Sequence, residues 1–355
     1  MTVVQVDTRM PTPDDVTASL APSPTALRPP VEATHADLLI RQLSGRWADE
    51  PSVLGEMCRH AFLAPGKLFR PTLLLESAQA VGGAAHQVLP AALGTESGHV
   101  ASLVHDDIID DDAMRRGQPA VQAKFGTGNA IVAGDALIFD LFLSLARCRG
   151  TGAADTAIVS ALEVVSRSGI DLCRGQSLEY EITCAGSRDL AMYVEMIRLK
   201  TGALFSGACR AGALLGGGTD AHVETLGRYG DELGIAFQMC DDLLTYIGGT
   251  DDAIGKSLLS DIRNRRMTLP ILVAYDGAGP LVGQQLDAAL DAAMSPERAL
   301  PLIVDALQRS DAILRSRVLA ARHADAAIAA LGLLPAGESR DRLATFARLA
   351  VERVR

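Results

Sequence analysis

A succession of long apolar runs, each with hydrophobic residues recurring at three- and four-residue spacing, most constrains this chain. The runs are RPTLLLESAQAV (70–81), LPAALGTESGHVASLVHDDII (89–109), GNAIVAGDALIFDLFLSLARC (128–148), TAIVSALEVVSRSGIDLCRGQSLEYEI (156–182), LAMYVEMIRLKTGALFSGACRAGALLG (190–216) and HVETLGRYGDELGIAFQMCDDLLTYI (222–247). Ala and Leu dominate them and proline is sparse, so the spacing predicts helices. Breakers fall between them at Gly82-Gly83, Gly117–Pro119, Gly126–Gly128, Gly216–Gly218, Gly248-Gly249 and Gly279-Pro280. No segment sustains the two-residue alternation of a strand. Several runs are apolar nearly all round, as central helices of a large bundle are. The expected fold class is all-α.

Residues 1–34 differ in texture: they are rich in Pro, Thr, Ser and Ala and have no amphipathic period. They are expected to form a disordered N-terminal tail, followed by a single all-α domain over 35–355. Of the 355 residues, 33 are Lys or Arg and 43 Asp or Glu, a net charge of −10 with no long basic block. A nucleic-acid partner is therefore not expected. The six cysteines, Cys58, Cys148, Cys173, Cys184, Cys209 and Cys240, are scattered without a CxxC pair. That is the usage of core thiols in a reducing cytoplasm. No uninterrupted apolar run reaches the roughly 18 residues of a membrane span, and no signal-peptide core is visible. The expectation is a cytoplasmic protein without stable membrane insertion.

The sharpest chemical feature is His105-Asp106-Asp107-Ile108-Ile109-Asp110-Asp111-Asp112, at the end of an apolar helix. Residues four apart share a helix face, so Asp106 and Asp110 are expected to project together, with Asp107 and Asp111 on a neighbouring stripe. Like charges at that spacing repel and call for a cation. Hard carboxylate oxygens suit Mg²⁺, which completes its shell with water and phosphate. Alone, the cluster reads equally as a solvated acidic helix end. A second pair, Asp241-Asp242, lies in another strongly apolar helix, where adjacent carboxylates need a purpose.

Cationic residues follow both clusters: Arg115-Arg116-Gly117 after the first, Lys256 and Arg263, Arg265 and Arg266 after the second. Gly66-Lys67-Leu68-Phe69-Arg70-Pro71 and Lys200-Thr201-Gly202 add further cation-bearing turns. His99, above Asp106 on the same helix, reads either as a ligand contact or as a satisfied core histidine. Acidic pairs and cations opening onto apolar helices suit a ligand with a diphosphate head and a hydrocarbon tail.

In order and together, GKLFRP (66–71), HDDIIDDDAMRRG (105–117), VAGDALI (132–138), KTGALF (200–205), FQMCDD (237–242) and GKSLLSDIRNRRMTLP (255–270) resemble the trans-isoprenyl diphosphate synthases, the polyprenyl synthetase family. The resemblance spans about residues 35–350. It implies a bundle of long helices around a deep central cavity, commonly a homodimer, that joins isopentenyl diphosphate head-to-tail to an allylic diphosphate. Carried over by position, Asp106, Asp110 and Asp241 would bind Mg²⁺, supported by Asp107 and Asp242. Arg115, Lys200 and Lys256 would hold the allylic diphosphate, beside Thr201 and Gln238. Lys67, Arg70, His99 and Arg116 would hold isopentenyl diphosphate.

Three positions depart from the pattern. Thr245 replaces the third carboxylate usual in the second acidic motif, Pro65 stands where a second glycine often precedes GKxxRP, and Arg266 replaces a frequent lysine. A terpene cyclase on the same scaffold and a non-catalytic subunit of a heteromeric synthase are the alternatives. The presence of Lys67, Arg70, His99 and Arg116 favours elongation over the first, and the intact first motif over the second. Product length is read from the helix before Asp106. In the resembling family an aromatic at the position of Ala101 makes a floor for short products. Here Ala101, Gly98 or Ser97, and Gly94 are all small, which implies a product of about twenty carbons or more, one helical turn per added unit. Phe139 and Phe142 are candidates for a floor from the opposite wall.

Overall fold

The computed structural model describes residues 33–63, 66–247, 259, 261–277, 279–291 and 293–354. The expected tail therefore lies almost wholly outside the described residues, as do Pro65, the Gly248-Gly249 breaker and Lys256. The helices are α1 (Ala33–Ser44), α2 (Val53–Phe62), α3 (Phe69–Ala80), α4 (Ala85–Ile109), α5 (Val121–Phe125), α6 (Thr127–Arg147), α7 (Asp155–Ala185) and α8 (Leu190–Ile197). After a π-helical turn at Arg198–Gly202 come α9 (Ala203–Leu215), α10 (Asp220–Ile247), α11 (Leu269–Gly277), α12 (Pro280–Ala289), α13 (Pro296–Arg309), α14 (Ala312–Ala330) and α15 (Glu338–Glu352). The described strands are two residues each, β1 (Met114–Arg115) and β2 (Gln118–Pro119), paired antiparallel with Met114 opposite Pro119. The all-α expectation holds, with this small hairpin added.

The boundaries follow local chemistry. α7 ends where Gly186 adopts a left-handed φ of 59° and the Ser187 amide returns to the Ile182 carbonyl at 3.0 Å, the usual glycine exit from a helix. α8 starts at Asp189, whose carboxylate accepts from the amides of Ala191 and Met192. The run 190–216 is not one helix. Its helical winding loosens to a π turn over Arg-Leu-Lys-Thr-Gly, an irregularity typical of functional sites. Gly175 of α7 makes this arrangement possible: a Cβ there would stand 2.3 Å from the Lys200 amide nitrogen. A larger residue would push α7 off the turn that carries Lys200.

The core runs between the long helices. Leu73, Phe205, Leu226, Tyr229 and Leu233 are fully buried together, and Tyr229 donates its hydroxyl to the Leu343 carbonyl at 2.8 Å. Burying such side chains contributes about 1.5–3 kcal/mol each. An ion pair between Glu76 and Arg342, at 2.9 Å, ties α15 to α3.

One sequence expectation needs correction. An 18-residue window within Thr127–Thr151 has a mean hydropathy of 1.6, with 39% of it buried, so α6 is long and apolar enough to span a bilayer. The run count missed it because Asp135 and Asp140 interrupt the sequence. Asp140 faces inward, accepting from Arg46 at 2.5 Å and Ser97 at 2.6 Å. Ile131, Val132, Phe139 and Leu143 form an exposed apolar stripe on the other side.

Candidate active site

Three connected spaces open among α3, α4, α7, the π turn and α10. The first, about 580 Å³, is lined by Gly66, Lys67, Arg70, Glu96, His99, Asp106 and Arg116 on one side and Lys200, Thr201, Gln238 and Asp241 on the other. The second, about 400 Å³, shares Lys200, Thr201, Gln238 and Asp241 and adds Arg115, Glu179, Asp242, Thr245, Asp261 and Arg266. Beneath the first an apolar channel of about 660 Å³ runs between α4, α6 and α7, past Ser102, Gly98 and Thr95 towards Leu141, Phe142 and Val165. Arg70, His99 and Asp106 border both the first chamber and the channel. Two charged chambers thus share a wall, and the first of them opens onto a hydrocarbon-lined tube.

The first acidic motif is only partly the stripe expected from sequence. Asp106 lines the first chamber and the channel, where burial, with Asp110 and Glu179 nearby, raises its pKa against the opposing pull of Lys200. Asp110 closes the helix as its C-cap and accepts from Arg266. Asp107 turns inward, 2% exposed, and accepts from Arg115 Nε at 2.7 Å. Asp111 has left the helix with φ at 54°, so the second stripe stops at Asp107. The reason is the helix end itself: α4 terminates at Ile109, before a second turn can repeat the spacing.

The hairpin after it presents Arg115 to the second chamber and Arg116 to the first. His60 of α2 holds the hairpin at the Pro119 carbonyl (2.8 Å), and Gln122 donates to the carbonyls of Asp107 and Asp112 at 2.9 and 2.6 Å. Arg116 itself takes a left-handed φ of 49°. Leu68, Asp111 and Arg265, in the neighbouring loops, do likewise at 53°, 54° and 50°. Backbone strain therefore gathers around the chamber mouths. Gly66 lies flat against the Arg116 guanidinium: an added Cβ would meet both terminal nitrogens at 2.9 Å.

In the second motif the two carboxylates part company. Asp241 faces both chambers and lies 2.6 Å from Arg353 Nη1. Asp242 is 8% exposed and fully engaged: it accepts from Tyr193 at 2.7 Å, the Leu269 amide at 3.0 Å and Gln238 at 3.0 Å. Burial pushes its carboxyl up to about 6. The sequence assigned both as metal ligands. The geometry gives Asp241 the open position and makes Asp242 an anchor for Gln238 and for the start of α11. Thr245 reaches the second chamber, with its hydroxyl returned to the Asp242 carbonyl at 2.6 Å.

Lys200, Thr201 and Gln238 stand together, as expected. Thr201 donates to Gln238 at 2.8 Å and Lys200 to Glu179 at 2.7 Å. Burial opposes the charge of Arg266, yet Glu179, Asp110 and Asp261 around it raise its pKa. Burial lowers the Lys67 pKa, with Arg353 adding to it, and lowers the Arg70 guanidinium to about 10. Burial, with Arg70 and Arg116 nearby, holds His99 well below the usual histidine range, so its imidazole is neutral. Among the described residues His99 Nδ1 has no hydrogen-bond partner, unlike a satisfied core histidine.

Sequence reasoning missed Glu96, Glu179, Tyr193, Asp261 and Arg353. Asp261 lies within the motif at 255–270 but was not singled out there, the others carry no motif of their own, and Arg353 lies more than a hundred residues beyond Asp241. Arg353 donates to the Phe237 carbonyl at 2.7 Å and covers its ring at 4.3 Å. The product-length residues divide. Gly98 lines the channel. Ala101 and Ser97 are fully buried elsewhere, Ala101 against Ala133 and Leu137 and Ser97 bonded to Asp140. Five residues back along a helix of 3.6 residues per turn lies roughly 140° from Asp106. Ser102, four residues back, is the residue that faces the tube. Phe142 lines it as well, whereas Phe139 is 71% exposed on the outer surface.

Among the described residues no group of three or more His, Cys, Asp or Glu side chains is arranged to hold a metal ion by itself. The carboxylates still suit Mg²⁺, which commonly takes one or two from the protein and the rest from phosphate and water. Asp106 stands on one wall of the first chamber and Asp241 on the other, with Asp110 near Asp106. Asp110 is held by a hydrogen bond from Arg266 and Asp241 by an ion pair with Arg353, contacts that must open before those oxygens reach a cation.

The polyprenyl synthetase family model matches residues 51–306. A geranylgeranyl diphosphate synthase of Methanosarcina mazei is 35% identical over 244 residues, 69% of this chain and 74% of that protein. The crystal structure of a geranylgeranyl pyrophosphate synthetase from Pyrococcus horikoshii superposes with a TM-score of 0.81 at 32% identity, covering 90% of this chain and 96% of that one. A polyprenyl synthase from Caulobacter crescentus, complexed with calcium and isoprenyl diphosphate, superposes with a TM-score of 0.80 at 30% identity over 90% and 95% of the two chains. With the motif order, two charged chambers and an apolar tube already in place, the chain belongs to the polyprenyl synthetase family and is a prenyltransferase.

Proposed function

We propose that the protein condenses isopentenyl diphosphate head-to-tail with an allylic prenyl diphosphate, giving a linear all-trans product of about twenty carbons or more, one turn of α4 per added unit. The observation that carries this reading is the pair of charged chambers sharing Lys200, Thr201, Gln238 and Asp241, the first of which borders the apolar channel at Arg70, His99, Ser102 and Asp106. A cyclase needs a single diphosphate chamber; a second, walled by Lys67, Arg70, His99 and Arg116, suits a second diphosphate substrate.

The allylic diphosphate is assigned to the second chamber, where Arg115, Lys200 and Arg266 converge, with Lys256 carried over from the motif. Asp106 and Asp241, which line the first chamber where it adjoins the second, would hold Mg²⁺ with Asp110. When bound, Mg²⁺ would screen the charge that builds on the departing diphosphate. Lys200 and Arg115 stabilise the same charge from fixed positions, so that little reorganisation accompanies breaking of the allylic C–O bond. The apolar channel keeps water from the resulting carbocation. Isopentenyl diphosphate, held by Lys67, Arg70, His99 and Arg116, supplies the double bond that forms the new C–C bond. The proton then lost passes to the departing diphosphate.

The test is the purified protein with Mg²⁺, isopentenyl diphosphate and allylic primers of increasing length, followed by product chromatography. Linear diphosphates support the reading. Cyclic hydrocarbons would replace it with a cyclase, and no turnover without a second protein would make this chain a partner subunit.

The exposed stripe Ile131, Val132, Phe139 and Leu143 on α6 is assigned to a homodimer contact. A bilayer would cover α6 on every side, whereas here its other face is tied to α4 through Ser97 and Asp140. Phe139→Arg is expected to yield a monomer by light scattering; an unchanged mass would remove this face from the interface. All six cysteines are free and four are buried, in keeping with a cytoplasmic enzyme.

A further inference from the structure

Glu96 is the charged group of the first chamber that the elongation reading leaves unused. It lies on α4 three residues before His99 and is 2% exposed. The cations of the same wall are Lys67, Arg70 and Arg116. Among the described residues its Oε2 has no hydrogen-bond partner, nor has Arg70 Nε or His99 Nδ1 on that wall. A buried carboxylate with an unmatched oxygen is costly, and beside an anion site it also repels the ligand. Such a group needs a compensating role.

The charges that face it supply one. Arg70 and Arg116 are the cations whose fields act on Glu96. For each of them, Glu96 is the foremost opposite charge. The Arg70 guanidinium lies over the Phe205 ring at 4.7 Å, so one of its faces is already fixed. Arg116 lies against Gly66. Before substrate arrives, the two guanidiniums repel one another across a low-dielectric wall.

We propose that Glu96 is a positioning residue for the isopentenyl diphosphate chamber, standing between the inner edges of Arg70 and Arg116 so that their outer N–H edges stay turned towards the diphosphate. The inference rests on the elongation reading and adds a residue to it. Preorganised guanidinium forks bind phosphate oxygens with less ordering cost than mobile ones. The negative charge that Glu96 places near the anion is offset by that orientation.

Steady-state kinetics of full-length protein test it, with Glu96→Gln as the isosteric uncharged variant. Wild-type protein is assayed first: failure to make linear products removes the elongation reading and the inference with it. With wild-type turnover established, Glu96→Gln is expected to raise the KM for isopentenyl diphosphate about tenfold or more, with the allylic KM within about twofold. Arg70→Ala added to Glu96→Gln should cost much less than Arg70→Ala alone, because the two act through one group. An isopentenyl diphosphate KM that is unchanged or lower, or equal rises for both substrates, would overturn the role while leaving elongation intact. Glu96→Asp keeps the charge but shortens its reach and should give an intermediate rise. If Glu96→Gln does not fold, the split between the two KM values in Glu96→Asp decides by the same criterion.

Discussion

Lys200 Nζ lies 2.7 Å from Glu179 Oε2 although 21 residues separate them in sequence. The contact exists because Gly175 lets α7 cross the π turn at backbone distance. Glu179 also faces Arg266 at 3.9 Å, and these cations outweigh burial and lower its pKa. One carboxylate therefore aims two cations of the second chamber. Glu179→Ala should leave Lys200 without its anchor, Arg266 keeping Asp110 and Asp261, and cut kcat/KM for the allylic substrate by about 30-fold or more, the low end for losing a partner of a charged pair. Initial rates at saturating isopentenyl diphosphate measure it, and an unchanged value would mean that Lys200 is oriented by the π turn alone.

The metal assignment gives a second expectation. Asp106→Ala should reduce kcat by orders of magnitude, and chelation of Mg²⁺ should abolish wild-type turnover. Thr245 already borders the second chamber, so Thr245→Asp adds an oxygen ligand where one fits and should be tolerated, with a lower Mg²⁺ requirement. Magnesium titrations of the three proteins decide. Most of the wild-type kcat surviving in Asp106→Ala would sink the ligand set.

How much of this was legible beforehand depends on the kind of signal. The long helices announced themselves because a 3.6-residue period sustained over many residues leaves little ambiguity. The charged residues near the chambers were legible because Asp106, Arg115, Lys200 and Asp241 occur in clustered motifs. Glu96, Glu179 and Arg353 were not: their roles arise where α4, α7 and the C-terminal segment meet other helices, and a lone charge carries no trace of that. The difference between Asp241 and Asp242 was equally hidden. It depends on Tyr193 and the Leu269 amide reaching one of the two neighbours.

Asp231 offers a pH test away from the chambers. Burial raises its carboxyl from 3.8 to about 6, against the pull of Arg198 and Arg210. A folded-state pKa above the unfolded value favours the folded protein fully below 3.8, and that contribution is lost as pH rises through about 6. The shift sets a ceiling of about 3 kcal/mol. Asp231→Asn removes this dependence. The melting temperature of wild-type relative to Asp231→Asn should therefore rise on acidification from pH 7.5 to pH 4.5. A constant difference across that window would show that Asp231 is ionised throughout.

The channel makes the last prediction. A tail anchored near Asp106 descends past Ser102, then Gly98, then Thr95, residues on one side of α4. Each turn advances about 5.4 Å, close to one five-carbon unit. Ser102→Phe places a ring in the tube one turn below the acidic motif and should shift products to about fifteen carbons or fewer, with the allylic KM little changed. Gly98 has less freedom, because a Cβ there would meet Leu141 Cδ2 at 2.8 Å; a larger residue must move Leu141, itself a channel wall. Ala101→Phe should behave differently. Ala101 is fully buried against Ala133 and Leu137, so the ring overpacks the α4–α6 contact and costs about 1–3 kcal/mol without entering the tube. Product chromatography and thermal melts of both variants separate the two effects. Shorter products from Ala101→Phe, with normal products from Ser102→Phe, would mean that the tail follows the opposite side of α4.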